Sequence, residues 1–213
     1  MTKKEEWLAG TRSAVPIMLG YVPVGIAYGV MARQAGLNTW QTVLMSLTVY
    51  GGASEMMAAG MVAQGAAVLT IVLTTFILNL RHIIMSTCVF NQMQGGRLPV
   101  RMLAAFGVTD ETFAVYTTTA NAPRTPRYFF SMALCSYLSW ALGSWLGAIA
   151  TGLLPPLITA ALGISLYAMF IGLLMPGLHG NGRLAALVVL TALCNTVLCN
   201  VVQLDSGWSM ILS

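Results

Sequence analysis

Thr74-Thr75-Phe76-Ile77-Leu78-Asn79-Leu80-Arg81-His82-Ile83-Ile84-Met85 sets an amide, a guanidinium and an imidazole in the middle of an apolar run from Ala66 to Phe90. At ~1.5 Å per residue, a helix of that length crosses a bilayer core of ~30 Å. Asn79, Arg81 and His82 then lie deep in hydrocarbon, where a buried Arg costs at least ~2.5 kcal/mol. Such a cost implies a partner charge, a water-filled cavity or a functional role. On one continuous helix, Thr75, Asn79, His82 and Ser86 form a polar stripe, and Arg81 points about 160° away from Asn79. Singly, each residue could glue helices or neutralise a buried acid. Together they favour a transport pathway.

The whole chain supports a membrane setting. Its 213 residues are 57% hydrophobic and 8% charged, with mean hydropathy +0.79. Soluble domains carry about 25% charged residues, so this is an integral membrane protein. The net charge of +4 is scattered among loops and does not suggest nucleic acid. Cys88, Cys135, Cys194 and Cys199 all lie in apolar segments and read as packing residues. Cys194 and Cys199 would stand ~8–9 Å apart on one helix, too far for a disulfide. No metal-ligand spacing is present, so neither metal nor cofactor is expected.

The expected fold is an all-α integral membrane protein, a single transmembrane domain over residues 1–213. It is a bundle of about seven transmembrane segments, some broken or short. Segment one, Ala14 to Ala32, carries Pro16 and Pro23, which kink it or make it discontinuous, and Gly25-x-x-x-Gly29, a face for close helix contact. Segment two, Trp40 to Ala63, holds Val49-Tyr50-Gly51-Gly52-Ala53-Ser54-Glu55 at its centre. The paired glycines either break the helix there or form a packing notch. A break would place Tyr50, Gly51, Gly52 and Ser54 around a helix start at membrane depth, where transporters hold charged substrate ends. Glu55 in that place needs a partner such as Arg81.

Segment three is the opening stretch. Segment four, Arg101 to Thr119, is marginal, with Asp110-Glu111 at its centre. It either packs inside the bundle, with Asp110 or Glu111 facing Arg81 or His82, or lies on the surface as an amphipathic helix. Segments five, six and seven run over Tyr128 to Ala150, Leu157 to Met175 and Arg183 to Val202. Asn195 and Asn200 sit in segment seven, and His179 in the loop before it.

One common offset aligns Gly36-Leu37 with Gly152-Leu153 and Thr75-x-x-x-Asn79 with Thr191-x-x-x-Asn195. It suggests repeat halves 14–90 and 128–203 joined by segment 101–119, parallel if that segment spans and inverted if it does not. Charge leaves the orientation open. With seven spans and the N-terminus inside, Lys3, Lys4, Arg12, Arg124, Arg127 and Arg183 oppose Arg33, Arg97 and Arg101. With segment four out of the membrane and the N-terminus outside, Lys3, Lys4 and Arg12 oppose the others, an equal bias.

Four motifs in register resemble the AzlC family, the large subunits of bacterial branched-chain amino acid exporters. They are Gly20-Tyr21-Val22-Pro23-Val24-Gly25, Tyr50-Gly51-Gly52-Ala53-Ser54-Glu55, Asn79-Leu80-Arg81-His82 and Thr109-Asp110-Glu111-Thr112-Phe113-Ala114. The likeness extends in order from about residue 13 to 203. It implies a multi-pass exporter in the bacterial plasma membrane, set in membrane lipid, for leucine, isoleucine, valine and methionine. It also implies a small hydrophobic partner subunit of the AzlD type. Glu55 stands where the family usually has glutamine, and many members carry a further apolar segment beyond the equivalent of Val202.

Together these readings assign Tyr50, Gly51, Gly52, Ser54, Glu55, Asn79 and Asn195 to substrate binding. Asp110, Glu111, Arg81 and His82 become the buried-charge and coupling group. No Gly-x-x-x-x-Gly-Lys loop is present, so energy is expected from an ion gradient, and buried carboxylates suit protons. A channel is one alternative. An intramembrane hydrolase using Ser54 with His82 is another, though Gly52-Ala53-Ser54-Glu55-Met56 lacks the Gly-x-Ser-x-Gly form. The chain is therefore not expected to be an enzyme.

Overall fold

The computed structural model describes residues 2–119, 122–153 and 182–200, and the single positions Pro155, Leu157, Ala161, Ile164, Ile171 and Met175. Among the described residues all regular structure is helical: α1 (Lys3–Gln34), α2 (Thr39–Thr48), α3 (Gly52–Ala63), α4 (Val68–Asn79), α5 (Arg81–Gln92), α6 (Leu98–Phe106), α7 (Asp110–Thr118), α8 (Pro126–Ala150) and α9 (Gly182–Asn200). Most of segment six, His179 and the tail after Asn200 lie outside the described residues.

α1 starts at a capping box. The Thr2 hydroxyl accepts from the Glu5 amide, and the Glu5 carboxylate accepts from the Thr2 amide. The helix then runs through both Pro16 and Pro23 without a break. Each proline removes one backbone donor, and close packing along α8 offsets that loss. Gly10 meets Tyr128 and Ser131, Gly25 meets Trp140 to Ser144, and Gly29 meets Ser144 to Ala148. The pairs rise together, so α1 and α8 run parallel. Gly25-x-x-x-Gly29 finds its partner in Gly143-x-x-x-Gly147: Gly143 sits against Val22 and Gly25, and Gly147 against Ile26. A Cβ on Gly25 would stand 3.0 Å from the Trp140 carbonyl oxygen, and one on Gly147 would collide with the Ile26 backbone. Backbone cannot yield as a side-chain tip can. Gly147→Val is expected to cost about 1–3 kcal/mol or more, read as a fall in melting temperature and in monodisperse yield. An unchanged melting temperature would contradict the seam.

Segments two and four are the broken ones, and each folds back on itself. α2 descends beside α1, with the Tyr28 hydroxyl donating to the Thr42 carbonyl and the Tyr50 ring meeting Tyr21. The chain turns at Val49–Gly51. α4 and α5 form one rod, because Leu80 between them keeps helical angles of φ −56° and ψ −29°. The middle of that rod faces Gly51 and Asp110. Its far end leads to Gln94, whose amide donates to the Arg124 carbonyl beside the start of α8. The rod therefore begins at the opposite end of the bundle, and α3, which leads into it, runs back the way α2 came. The second hairpin enters from the α8 start. Gly96 meets Pro126, Phe106 reaches Tyr137, and α7 then returns to set Tyr116 against Tyr128 and Phe129.

The run from Ala66 to Phe90, expected as one helix, forms one rod over Val68–Gln92 with a local irregularity at Leu80. Three rods are long and apolar enough to cross a membrane among the described residues: α1, α4 with α5, and α8. Leu69, Val72, Phe76, Ile83 and Ile84 are exposed on the middle rod, an apolar face suited to hydrocarbon. The core lies between α1 and α8, where Trp140 stacks on Tyr28 and meets Tyr21 edge-on.

Candidate functional site

The first hairpin turns on Tyr50, whose φ of 47° is in the left-handed region that a non-glycine residue rarely adopts. Ser54 and Glu55, in the first turn of α3, hold this strained backbone in place. The Ser54 hydroxyl donates to the Gly51 carbonyl at 2.8 Å. Glu55 is fully buried and accepts from the Gly51 amide at 2.9 Å, the Ser46 hydroxyl at 2.9 Å and the Trp140 indole at 3.3 Å. Neutral donors and the start of α3 thus stabilise this carboxylate, and it ties the tip to α8. It does not pair with Arg81. The two readings of the glycine pair both apply: the helix breaks, and Gly52 is also a notch, since a Cβ there would lie 2.9 Å from the Trp140 ring.

The second tip is Gly107-Val108-Thr109. Thr109 caps α7: its amide donates to the Thr112 hydroxyl at 2.8 Å, and that hydroxyl donates to the Gly107 carbonyl at 2.9 Å. Asp110 and Glu111, expected mid-helix, therefore open α7 in its first turn. Asp110 pairs with Arg81 at 2.9 Å. Glu111 accepts from the Tyr21 hydroxyl at 2.6 Å, and that hydroxyl also bonds the Thr109 hydroxyl at 2.7 Å.

The starts of α3, α5 and α7 meet at one cavity of about 20 Å³, room for about one water. Tyr50 to Ala53 line it from the first tip, Arg81 and His82 from the middle rod, Thr109 to Glu111 from the second tip, and Tyr21 and Trp140 from the long rods. The starts of α3 and α7 direct positive dipole ends at this space, while α5 continues the rod from α4. Asn79 lies beside Gly51, and its buried Oδ1 has no hydrogen-bond partner among the described residues. Arg81 and His82 line the cavity, while Asn79 lies beside Gly51 behind its wall. Ser54 and Glu55 stand behind the cavity as ties. Asn195 is not brought here; it lines a groove on α9 with Thr191 and Leu187. Ser54 forms no hydrogen bond to His82 among the described residues, as a hydrolytic pair would require.

Sequence reasoning missed Tyr21, Trp140, Phe106 and Tyr137. One signal was available. Tyr50-Gly51-x-x-Ser54-Glu55 and Phe106-Gly107-x-x-Asp110-Glu111 share an aromatic-Gly-x-x-(Ser/Asp)-Glu pattern, once per tip. The two leading rings meet at 6.0 Å, and both touch Tyr137.

A polar cavity between half-helix starts in an apolar bundle defines an all-helical membrane protein with an internal site. The chain belongs to the AzlC protein family, whose model matches residues 16–154. An uncharacterised membrane protein of Archaeoglobus fulgidus is 33% identical, over 87% of this chain and 82% of its own length. The inner membrane protein YgaZ of Escherichia coli is 30% identical, over 79% and 72%. The branched-chain amino acid transport protein AzlC of Bacillus subtilis is 27% identical, over 70% of this chain and 61% of its own. No solved structure gives a significant match.

Proposed function

We propose that this chain is a secondary transporter exporting branched-chain amino acids, with methionine as a substrate of similar bulk, coupled to protons. It acts as the large subunit beside a small hydrophobic partner of the AzlD type, in a bacterial plasma membrane. The observation that carries the reading is the meeting of the α3 and α7 starts and the Arg81–Asp110 pair at one small cavity. Helix starts and an arginine suit a substrate carboxylate. The buried carboxylates beside Arg81 suit proton coupling, since acids inside a membrane commonly serve as proton carriers. A cavity of about 20 Å³ cannot hold leucine, so the structure corresponds to a closed form and the tips must part. The transport name of the Bacillus subtilis relative supports the substrate class. The whole chain is proposed to work as one transmembrane domain. The repeat halves 14–90 and 128–203 are proposed as equivalents in parallel, not inverted as expected for a segment four that does not span, because segment two folds back as well and leaves α1 and α8 parallel.

The reading is tested with liposomes that hold the chain and are loaded with labelled leucine. Saturable efflux, competed by isoleucine and valine, is expected. Currents that never saturate with substrate would contradict it and favour a channel.

The hairpins also bear on the charge count. Lys3, Lys4, Arg97, Arg101, Arg124 and Arg127 share the end where α1, α6 and α8 begin, and Arg33 lies at the other. The positive-inside rule then favours a cytoplasmic N-terminus. In a background without native cysteines, Gln94→Cys should react with a membrane-impermeant maleimide only from the cytoplasmic side, and Gly65→Cys only from outside. The reverse pattern would overturn this orientation.

A further inference from the structure

We propose that Glu111 and the Tyr50 hydroxyl form a subsite for the ammonium group of a zwitterionic substrate. This rests on the amino acid reading above and assigns that site a direction. Tyr50 is 3% exposed, lines the cavity beside Tyr21, and its hydroxyl makes no hydrogen bond of ordinary length among the described residues. A buried hydroxyl without a partner is costly, and the left-handed backbone that places it there is costly as well. Two costs at one residue mark a position built to receive a ligand group.

Glu111 lines the same cavity and is 8% exposed. It accepts from Tyr21, but it has no ion-pair partner among the described residues; the nearby Arg81 is taken by Asp110. Glu55 differs, since its three donors are all protein groups and it does not line the cavity. The negative, acceptor-bearing wall is therefore Glu111 with Tyr50 and Tyr21. The positive wall is Arg81 with the helix starts. A zwitterion matches both. An ammonium group donates three hydrogen bonds and is about the size of a water molecule, so the cavity already fits the head of the substrate. Aromatic rings around Tyr50 add a surface that cations favour. The remaining volume, for the carboxylate and apolar side chain, comes from separation of the tips.

The test uses labelled leucine bound to the purified full-length chain. Competitors are isocaproate, which lacks the amino group of leucine, and isopentylamine, which lacks its carboxylate. Tyr50→Phe keeps the ring and Glu111→Gln keeps the shape; melting temperatures confirm that each is folded. Wild type should prefer leucine over isocaproate. Each variant should bind leucine at least ~10-fold more weakly while binding isocaproate as wild type does. The subsite is overturned if either folded variant keeps wild-type affinity for leucine, or loses leucine and isocaproate alike. If wild type binds no leucine, the amino acid reading fails, and the subsite with it.

Discussion

Replacing Arg81 by alanine is expected to abolish transport and to lower the folded yield. The guanidinium pairs with Asp110 at 2.9 Å, and the two side chains are 35% and 26% exposed. Removing one partner of a fully buried pair costs ~3–5 kcal/mol. Partial opening to the cavity reduces that here, to about 2–3 kcal/mol, because water can screen the remaining carboxylate. Transport suffers more than stability, since the positive wall of the cavity is lost as well. Neutralising the partner should relieve the stability defect. The double variant Arg81→Ala, Asp110→Asn should therefore melt above Arg81→Ala alone and still fail to transport. Wild-type melting and export in Arg81→Ala would remove the pair from the mechanism.

Gly52→Val is expected to lose the folded protein, not substrate binding alone. A Cβ at Gly52 would lie 2.9 Å from the Trp140 ring, and valine's methyls would reach further. Trp140 is 2% exposed between Tyr21 and Tyr28, so it has nowhere to retreat. Moving it also removes the indole donor from Glu55, leaving a buried carboxylate short of a partner. Overpacking costs about 1–3 kcal/mol, and the lost hydrogen bond to a charged group adds about 1.5–3 kcal/mol. Gly51→Ala differs: its Cβ would meet the Ser54 hydroxyl at 2.6 Å and Asn79 at 3.4 Å, side chains that can turn aside. Gly51→Ala should express, and its defect should lie in binding. Equal melting temperatures for Gly52→Val and wild type would contradict the notch.

Much of this was legible in the sequence because it follows from cost. Few charges in an apolar chain require a membrane. Arg81 in hydrocarbon requires an acid, and segment four offered one. Paired glycines at mid-span signalled a break. The direction of the chain after each break was not legible. Hydropathy measures length, and two half-helices folded back have the same length and apolarity as one span. The reversals depend on single backbone states, such as the positive φ of Tyr50, that residue type does not announce. Because Arg97 and Arg101 change sides relative to the N-terminus when segment two folds back, the charge count could not be read either. Tyr21 and Trp140 looked like ordinary aromatic packing, since nothing in their own segments points to Glu111 and Glu55. Asn195 was chosen by an offset alignment that carries no contact information, and it lies on α9 away from the cavity.

The most direct measurement compares wild type with Asp110→Asn in liposomes, scoring exchange and accumulation of labelled leucine separately. A proton-coupled exporter needs a group that binds a proton on one side and releases it on the other, and Asp110 beside Arg81 is the proposed group. Asp110→Asn should keep leucine exchange across the membrane and lose accumulation driven by an imposed pH gradient. Accumulation against a concentration gradient with unchanged pH dependence in Asp110→Asn would contradict the mechanism and place coupling elsewhere in the chain.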